Sequence, residues 1–88
     1  MPYIKMIADH YGKDHQLLKM SEECGELSTA IARFILKPTN ETYENLVEEM
    51  ADVKIMIRQM EHLLGVEDEV VNTQVKKIMR QLKRMETL

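Results

Sequence analysis

The sequence predicts an all-α fold, a bundle of about four antiparallel helices. Apolar residues recur at intervals of three and four along most of the 88-residue chain, which is the spacing of an amphipathic helix. Strand patterns are absent, and three glycines and two prolines are too few for an all-β protein. The length predicts one domain, residues 1–88, whose small core would gain from oligomerisation.

The first two helices are separated by a glycine. The first covers about residues 2–11; it begins with Pro2, which a first turn tolerates, and ends at Gly12. The second runs from about Asp14 to Lys37, because the residue before Pro38 disfavours helical geometry. Its expected buried stripe consists of Leu17, Met20, Cys24, Leu27, Ile31 and Phe34.

The last two helices are separated by Gly65. The third runs from about Glu41 to Leu64, with Thr39 or Asn40 as its N-cap, and the fourth from about Glu67 to Glu86. The expected stripe of the third is Leu46, Met50, Val53, Ile57, Met60 and Leu64. The residues of the fourth that we expect to face inward are Val71, Val75, Ile78, Leu82 and Met85.

Charge and composition exclude several classes of protein. The net charge is −3, but residues 70–88 carry +4, so the remainder carries −7. An acidic body argues against general nucleic-acid binding. The basic residues near the end of the chain either bind an anion or are there simply because cations are favourable at the C-terminal end of a helix. Cys24 is the only cysteine, and no signal peptide or run of about 18 apolar residues is present. We therefore expect a soluble, cytoplasmic protein that does not enter membranes.

One acidic hexamer occurs twice. Residues 22–27 read Glu-Glu-Cys-Gly-Glu-Leu and residues 48–53 read Glu-Glu-Met-Ala-Asp-Val, so acid, acid, apolar, small, acid and apolar positions repeat. At about 100° per residue, Glu23 and Glu49 fall about 40° from the centre of the apolar stripe of their helices. The next acid of each copy, Glu26 or Asp52, lies on the border of the stripe. The first acid of each copy, Glu22 or Glu48, lies mostly outside it.

Four carboxylates that converge from two helices predict a divalent-cation site. Carboxylates are rarely buried unless they are paired or bind a metal, and oxygen ligands favour Mg²⁺, or Mn²⁺, over zinc and copper. A single Glu-x-x-Glu is usually a solvated helix face, since Glu is a good helix former. Two copies in register with their apolar stripes favour the metal site, and with it phosphate chemistry.

The paired motif resembles the signature of the MazG-like superfamily of all-α nucleoside triphosphate pyrophosphohydrolases. That signature is Glu-x-x-Glu on one helix and Glu-x-x-Asp on the next long helix, and the likeness spans about residues 10–85. It is closest to the short, single-domain phage and bacterial members. The matching positions are Glu23, Glu26, Glu49 and Asp52.

The resemblance implies a Mg²⁺-dependent enzyme that cleaves the α–β phosphoanhydride of a (deoxy)nucleoside triphosphate and so cleanses nucleotide pools. It also implies a homo-oligomer, a dimer or tetramer, in which helices of two subunits complete the bundle around each site. By position, Glu23, Glu26, Glu49 and Asp52 would be metal ligands. Glu22 would orient or deprotonate the attacking water.

Substrate contacts are less well marked in the sequence. Lys77 and Arg80 on the fourth helix could stabilise the departing pyrophosphate, but the C-terminal basic motif of longer relatives has no clear copy here. Gln16 lies two turns before Glu23 on the same face, so it could bind a base, or it could simply belong to a polar helix start.

Two alternatives remain open at the level of sequence. One is a non-catalytic helical protein that binds a partner or a metal with the same fold. The other is a redox-active carboxylate bundle, which the absence of Glu-x-x-His spacing disfavours.

Overall fold

A computed structural model describes residues 2–86, which form four α-helices and no β-strand. The helices are α1 (Pro2–Tyr11), α2 (Lys13–Leu36), α3 (Asn40–Leu64) and α4 (Glu67–Glu86). The all-α prediction is confirmed, and no helix boundary differs from its predicted position by more than one residue. None of these helices combines the length and the apolar character that a membrane crossing requires.

Glycine and threonine fix the helix ends. Gly12 and Gly65 follow α1 and α3 with positive φ angles of 87° and 66°, which other residues rarely adopt, and Gly65 has the left-handed conformation of a helix C-cap. Thr39 rather than Asn40 is the N-cap of α3: its Oγ1 accepts a hydrogen bond from the Thr42 N–H at 3.1 Å. The Thr39 N–H donates to Thr42 Oγ1 at 2.9 Å, which completes a capping box.

The pair α2 and α3 forms the body of the fold. Only three residues separate the two helices, so they run antiparallel, and α1 packs across both of them. The Nε2 of His62 donates a hydrogen bond to Asp9 Oδ1 at 2.8 Å, which ties α1 to the end of α3. The buried apolar residues are Ala8, Ala30, Val53, Met56 and Met60.

The buried faces of α2 and α3 are rotated away from the predicted stripes. Gln16, Glu23 and Ala30, each seven residues apart, are the buried residues of α2, whereas Cys24 and Ile31 are exposed. The prediction that Cys24 lies inside the core is therefore wrong. The same rotation on α3 buries Met56 and Gln59 and leaves Met50 and Ile57 exposed. The reason is that each apolar arc is wider than the face that one neighbouring helix can cover.

Helix α4 extends away from the body. It contacts only α3, and none of its residues is buried. The prediction that its apolar residues face inward is wrong for a single chain, since all five are 46–59% exposed. The accessible surface is 7223 Å², against about 5,400 Å² for a compact monomer of this mass. The radius of gyration is 16.0 Å, against about 12 Å for a compact domain of this length.

Candidate metal centre between α2 and α3

Three carboxylates meet where the two long helices pack. Glu23 of α2 lies opposite Glu49 and Asp52 of α3, and each of these side chains places one oxygen within 4.8 Å of the others. Glu23 is only 7% exposed, whereas Glu49 and Asp52 are half-buried. The packing of α2 against α3 therefore holds three negative groups together, which is unfavourable unless a positive charge compensates them.

Two of the carboxylate oxygens have no partner. Glu23 Oε2 and Glu49 Oε2 are both buried and accept no hydrogen bond. The other oxygen of Glu23, Oε1, lies 3.3 Å from Lys19 Nζ and forms an ion pair with it, so only one of the two oxygens of this carboxylate is paired. A buried charged oxygen without a partner is costly, so both oxygens are available to a cationic ligand.

The donor set suits a hard divalent cation. All the donors are carboxylate oxygens, which Mg²⁺, Mn²⁺ and Ca²⁺ prefer. Oxygens bound to one Mg²⁺ at about 2.1 Å lie at most about 4.2 Å apart. The observed separation of up to 4.8 Å therefore needs only small side-chain rotations.

The pKa values of Glu49 and Lys19 reflect the close approach of the carboxylates. The pKa of Glu49 is raised above its ordinary value, first by burial of the carboxyl and then by the charges of Glu26, Asp52 and Glu23. The pKa of Lys19 is also raised, first by its hydrogen bond to Glu23 and then by the charge of that group. Lys19 therefore keeps its proton, while Glu49 resists losing its own.

The remaining predicted acids lie at the rim. Glu22 and Glu26 are exposed and line, together with Glu49, a groove of about 580 Å³ between α2 and α3. Glu26 is close enough for its charge to act on Glu49, although it is not one of the three clustered groups. Glu48 is exposed in a neighbouring groove of about 380 Å³.

Arg33 lies beside these acids, and sequence reasoning missed it. It lines both the groove of Glu22 and Glu26 and the groove of Glu48. Within residues 2–86 its guanidinium forms no ion pair. The signal was present, because Arg33 follows Glu26 by seven residues and so shares its helix face.

Gln16 is buried in a network of amides. Its Nε2 donates a hydrogen bond to Gln59 Oε1 at 2.6 Å, and its Oε1 accepts one from His15 Nδ1 at 2.6 Å. Gln16 and Gln59 are 3% and 2% exposed and belong to the wall of a groove between α1, α2 and α3. Sequence reasoning missed Gln59, because it falls about 120° from the apolar stripe of α3.

Lys77 and Arg80 do not join the acids within one chain. Both lie on α4, which makes no contact with α2. Lys77 lines instead a shallow apolar groove formed by α4 and the turn before it.

Comparison with known proteins returns no match: no protein-family model, no curated protein and no solved structure resembles the chain closely enough to be matched. The chemistry of the site's own residues therefore indicates its role. Its firmest elements are the buried Glu23 and the two orphaned oxygens.

Glu49 sets a pH dependence for the metal-free protein. The pKa of Glu49 in the folded state is higher than its ordinary value of 4.5. In the pH window between the unfolded-state pKa and the folded-state pKa, the folded state therefore binds more protons than the unfolded state. The free energy of unfolding should therefore fall as the pH rises through the window and then level off. Glu49→Gln should remove this loss, so that at pH 8 in EDTA the variant is more stable than the wild type.

Urea denaturation between pH 4.5 and pH 8 measures this effect. The matched control is Glu44→Gln, which removes an exposed carboxylate from the same helix. A Glu49→Gln variant that is less stable than the wild type at pH 8, with an unchanged pH slope, would show that the acids do not repel one another.

Proposed function

We propose that this protein is a Mg²⁺-dependent nucleoside triphosphate pyrophosphohydrolase of the MazG-like all-α superfamily. It cleaves the α–β phosphoanhydride of a (deoxy)nucleoside triphosphate and releases the monophosphate and pyrophosphate; Mn²⁺ can replace Mg²⁺. The observation that supports this proposal best is the buried carboxylate of Glu23, which has an unpaired oxygen beside the carboxylates of Glu49 and Asp52.

The acidic residues have separate roles in this proposal. Glu23, Glu49 and Asp52 hold the cation, and Glu26 approaches it from the rim. Bound Mg²⁺ neutralises phosphate oxygens and helps to align a water molecule with the α-phosphorus. Glu22 is exposed at the same rim, where it orients that water molecule or takes its proton. No serine, cysteine or histidine nucleophile is required for this chemistry.

Cations of the chain bind the phosphates. Arg33 is the best placed, because it lines the groove of Glu22, Glu26 and Glu49 and its guanidinium forms no competing ion pair in the part of the chain that the structure describes. A planar guanidinium suits the departing pyrophosphate, whose charge grows as the bond breaks. Lys77 and Arg80 add to this clamp when α4 of a second copy covers the groove.

Self-association follows from the surface that one chain leaves uncovered. The chain exposes roughly 1,800 Å² more than a compact monomer of this mass, whereas a standard interface removes about 800 Å² per partner. The uncovered part includes the apolar face of α4 and the outward residues of α2 and α3. Residues 70–86 of α4, which carry a net charge of +4, also complement the acidic body. These features fit a homodimer, or a tetramer built from it.

The rival function is that of a non-catalytic helical interaction protein. The exposed apolar face of α4 is the feature that favours it, since such faces mark sites of protein association. The two functions differ in one outcome. A protein that cleaves no triphosphate with either Mg²⁺ or Mn²⁺ but binds another protein through α4 would support the rival.

Pyrophosphate release tests the enzymatic proposal. The wild type should release pyrophosphate from at least one nucleoside triphosphate with Mg²⁺ and none in EDTA. Glu23→Gln and Glu49→Gln should each lower kcat/KM by at least about 100-fold, since even outer-sphere changes around a metal cost up to that much. Glu44→Gln, which removes an exposed acid outside the cluster, should stay within about twofold. Equal activity of all four proteins would contradict the proposed site.

Sedimentation velocity tests the assembly. Ile78→Asn places an amide in the middle of the apolar face of α4 and should shift the wild-type oligomer toward monomer. Lys76→Asn changes the opposite face of the same helix and should leave the oligomer intact. Circular dichroism should show equal helix content for both variants. A wild type that sediments as a 10.3 kDa monomer at every concentration would contradict self-association.

A further inference from the structure

A second groove adjoins the metal centre. It lies between α1, α2 and α3 and has a volume of about 630 Å³, within the range of small-molecule sites of about 300–1,000 Å³. Ile7 and Met56 give it apolar walls, Tyr11 and His15 give it aromatic rings, and Gln16 and Gln59 give it amides. A mostly apolar cleft with a few polar groups is typical of a ligand site.

The rings provide a stacking surface. Tyr11 and His15 are stacked with their centroids 4.9 Å apart and their planes at 18°. Tyr11 is 53% exposed, so it remains accessible to a further planar group. Stacking on such a surface suits any flat heterocycle, because every base has a π face.

The amides provide a hydrogen-bond donor. Gln59 Oε1 accepts from Gln16 Nε2, but Gln59 Nε2 donates to no other group in residues 2–86. Gln59 is only 2% exposed and lines the groove. Gln59 Nε2 is not among the buried atoms that lack a partner, so water can reach it in the open groove. An occupant that excludes this water has to offer an acceptor, because the N–H group would otherwise be left unpaired at a cost.

The groove borders the rim of the candidate metal centre. Glu22 lines both this groove and the one that contains Glu26 and Glu49. Lys19, which also lines the groove, reaches Glu23 Oε1 at 3.3 Å and Glu22 Oε2 at 3.8 Å. A molecule with a flat ring in the groove can therefore place an attached anionic chain beside Lys19 and over the acids.

We propose that this groove binds the nucleoside part of the substrate and that it favours bases with a carbonyl oxygen opposite Gln59. The proposal rests on the proposed function and names its substrate class: triphosphates of 4-oxo pyrimidines and 6-oxo purines. Uracil and hypoxanthine present an oxygen where cytosine and adenine present an amino group. The Gln59 N–H can donate a hydrogen bond to the carbonyl oxygen of uracil or hypoxanthine. Against the amino group of cytosine or adenine it meets a second donor and is left unpaired.

The competing occupant is the apolar face of α4 from a second copy. Such a face offers side chains such as Val75, Ile78 and Leu82, none of which can accept a hydrogen bond. It would therefore leave the Gln59 donor unpaired in a dry interface. The chemistry of the groove favours the nucleoside.

Nucleosides without phosphate test the groove independently of hydrolysis. We would titrate uridine, cytidine, inosine and adenosine into ¹⁵N-labelled protein in EDTA and follow amide chemical shifts. The expected shifts are confined to residues near Tyr11, His15, Gln16, Met56 and Gln59. Uridine should bind about tenfold more tightly than cytidine, and inosine more tightly than adenosine, by a similar factor.

Two variants distinguish stacking from hydrogen bonding. Tyr11→Ala should lower the affinity for all four nucleosides about tenfold. Tyr3→Ala, which removes the other exposed tyrosine of α1, should leave these affinities unchanged. Gln59→Met keeps the length of the side chain without the donor and should abolish the preference for uridine over cytidine. If Gln59→Met does not fold, the comparison of Tyr11→Ala with Tyr3→Ala and the order of the wild-type affinities still test whether nucleosides bind in this groove.

The outcomes separate this proposal from the enzymatic one. Uridine binding in the groove without cleavage of any triphosphate would support the groove and contradict the enzyme. Cleavage of triphosphates without nucleoside shifts in the groove, and with equal kcat/KM for UTP and CTP, would overturn the groove and keep the enzyme. Shifts at these residues that change with protein concentration but not with nucleoside would assign the groove to a second copy.

Discussion

The burial of the Glu23 carboxylate is the constraint on which the rest of the structure depends. Its position halfway along α2 sets it against α3, where Glu49 and Asp52 lie, and among residues 2–86 only Lys19 forms an ion pair with it. The same packing of α2 against α3 buries the core residues Ala30, Val53 and Met56. Apolar packing thus holds like charges together, and a bound cation would relieve their repulsion.

Two neighbouring grooves share this centre. The α2–α3 groove brings acids and Arg33 together, which suits a phosphate chain with its cation. The α1–α2–α3 groove brings rings and amides together, which suits a planar, hydrogen-bonding group. Glu22 belongs to both grooves, so the site divides along α2 into a charged half and a flat, mostly apolar half. The hydrogen bond between His62 and Asp9 helps to keep α1 in place beside them.

The helices and the meeting of the acids could be predicted because both depend on local rules. Gly12, Pro38 and Gly65 mark the ends, and a repeat in register with the apolar stripe places Glu23 and Glu49 on facing sides. The buried faces could not be predicted, because the apolar arcs are wider than one contact and only packing chooses which part is covered. For that reason Gln59 was missed and Cys24 was misplaced. The exposure of α4 was missed because periodicity shows that a helix has an apolar face but not what covers it.

Paramagnetic relaxation by Mn²⁺ tests the central claim most directly, because it locates the cation without requiring turnover. At substoichiometric Mn²⁺, amide signals around Glu23, Glu49 and Asp52 should broaden first. Excess Mg²⁺ should restore them, and Glu23→Gln should abolish the effect. Broadening that spreads equally over exposed acids such as those of the first turn of α4, and that persists in Glu23→Gln, would show that the buried carboxylate does not form a metal site.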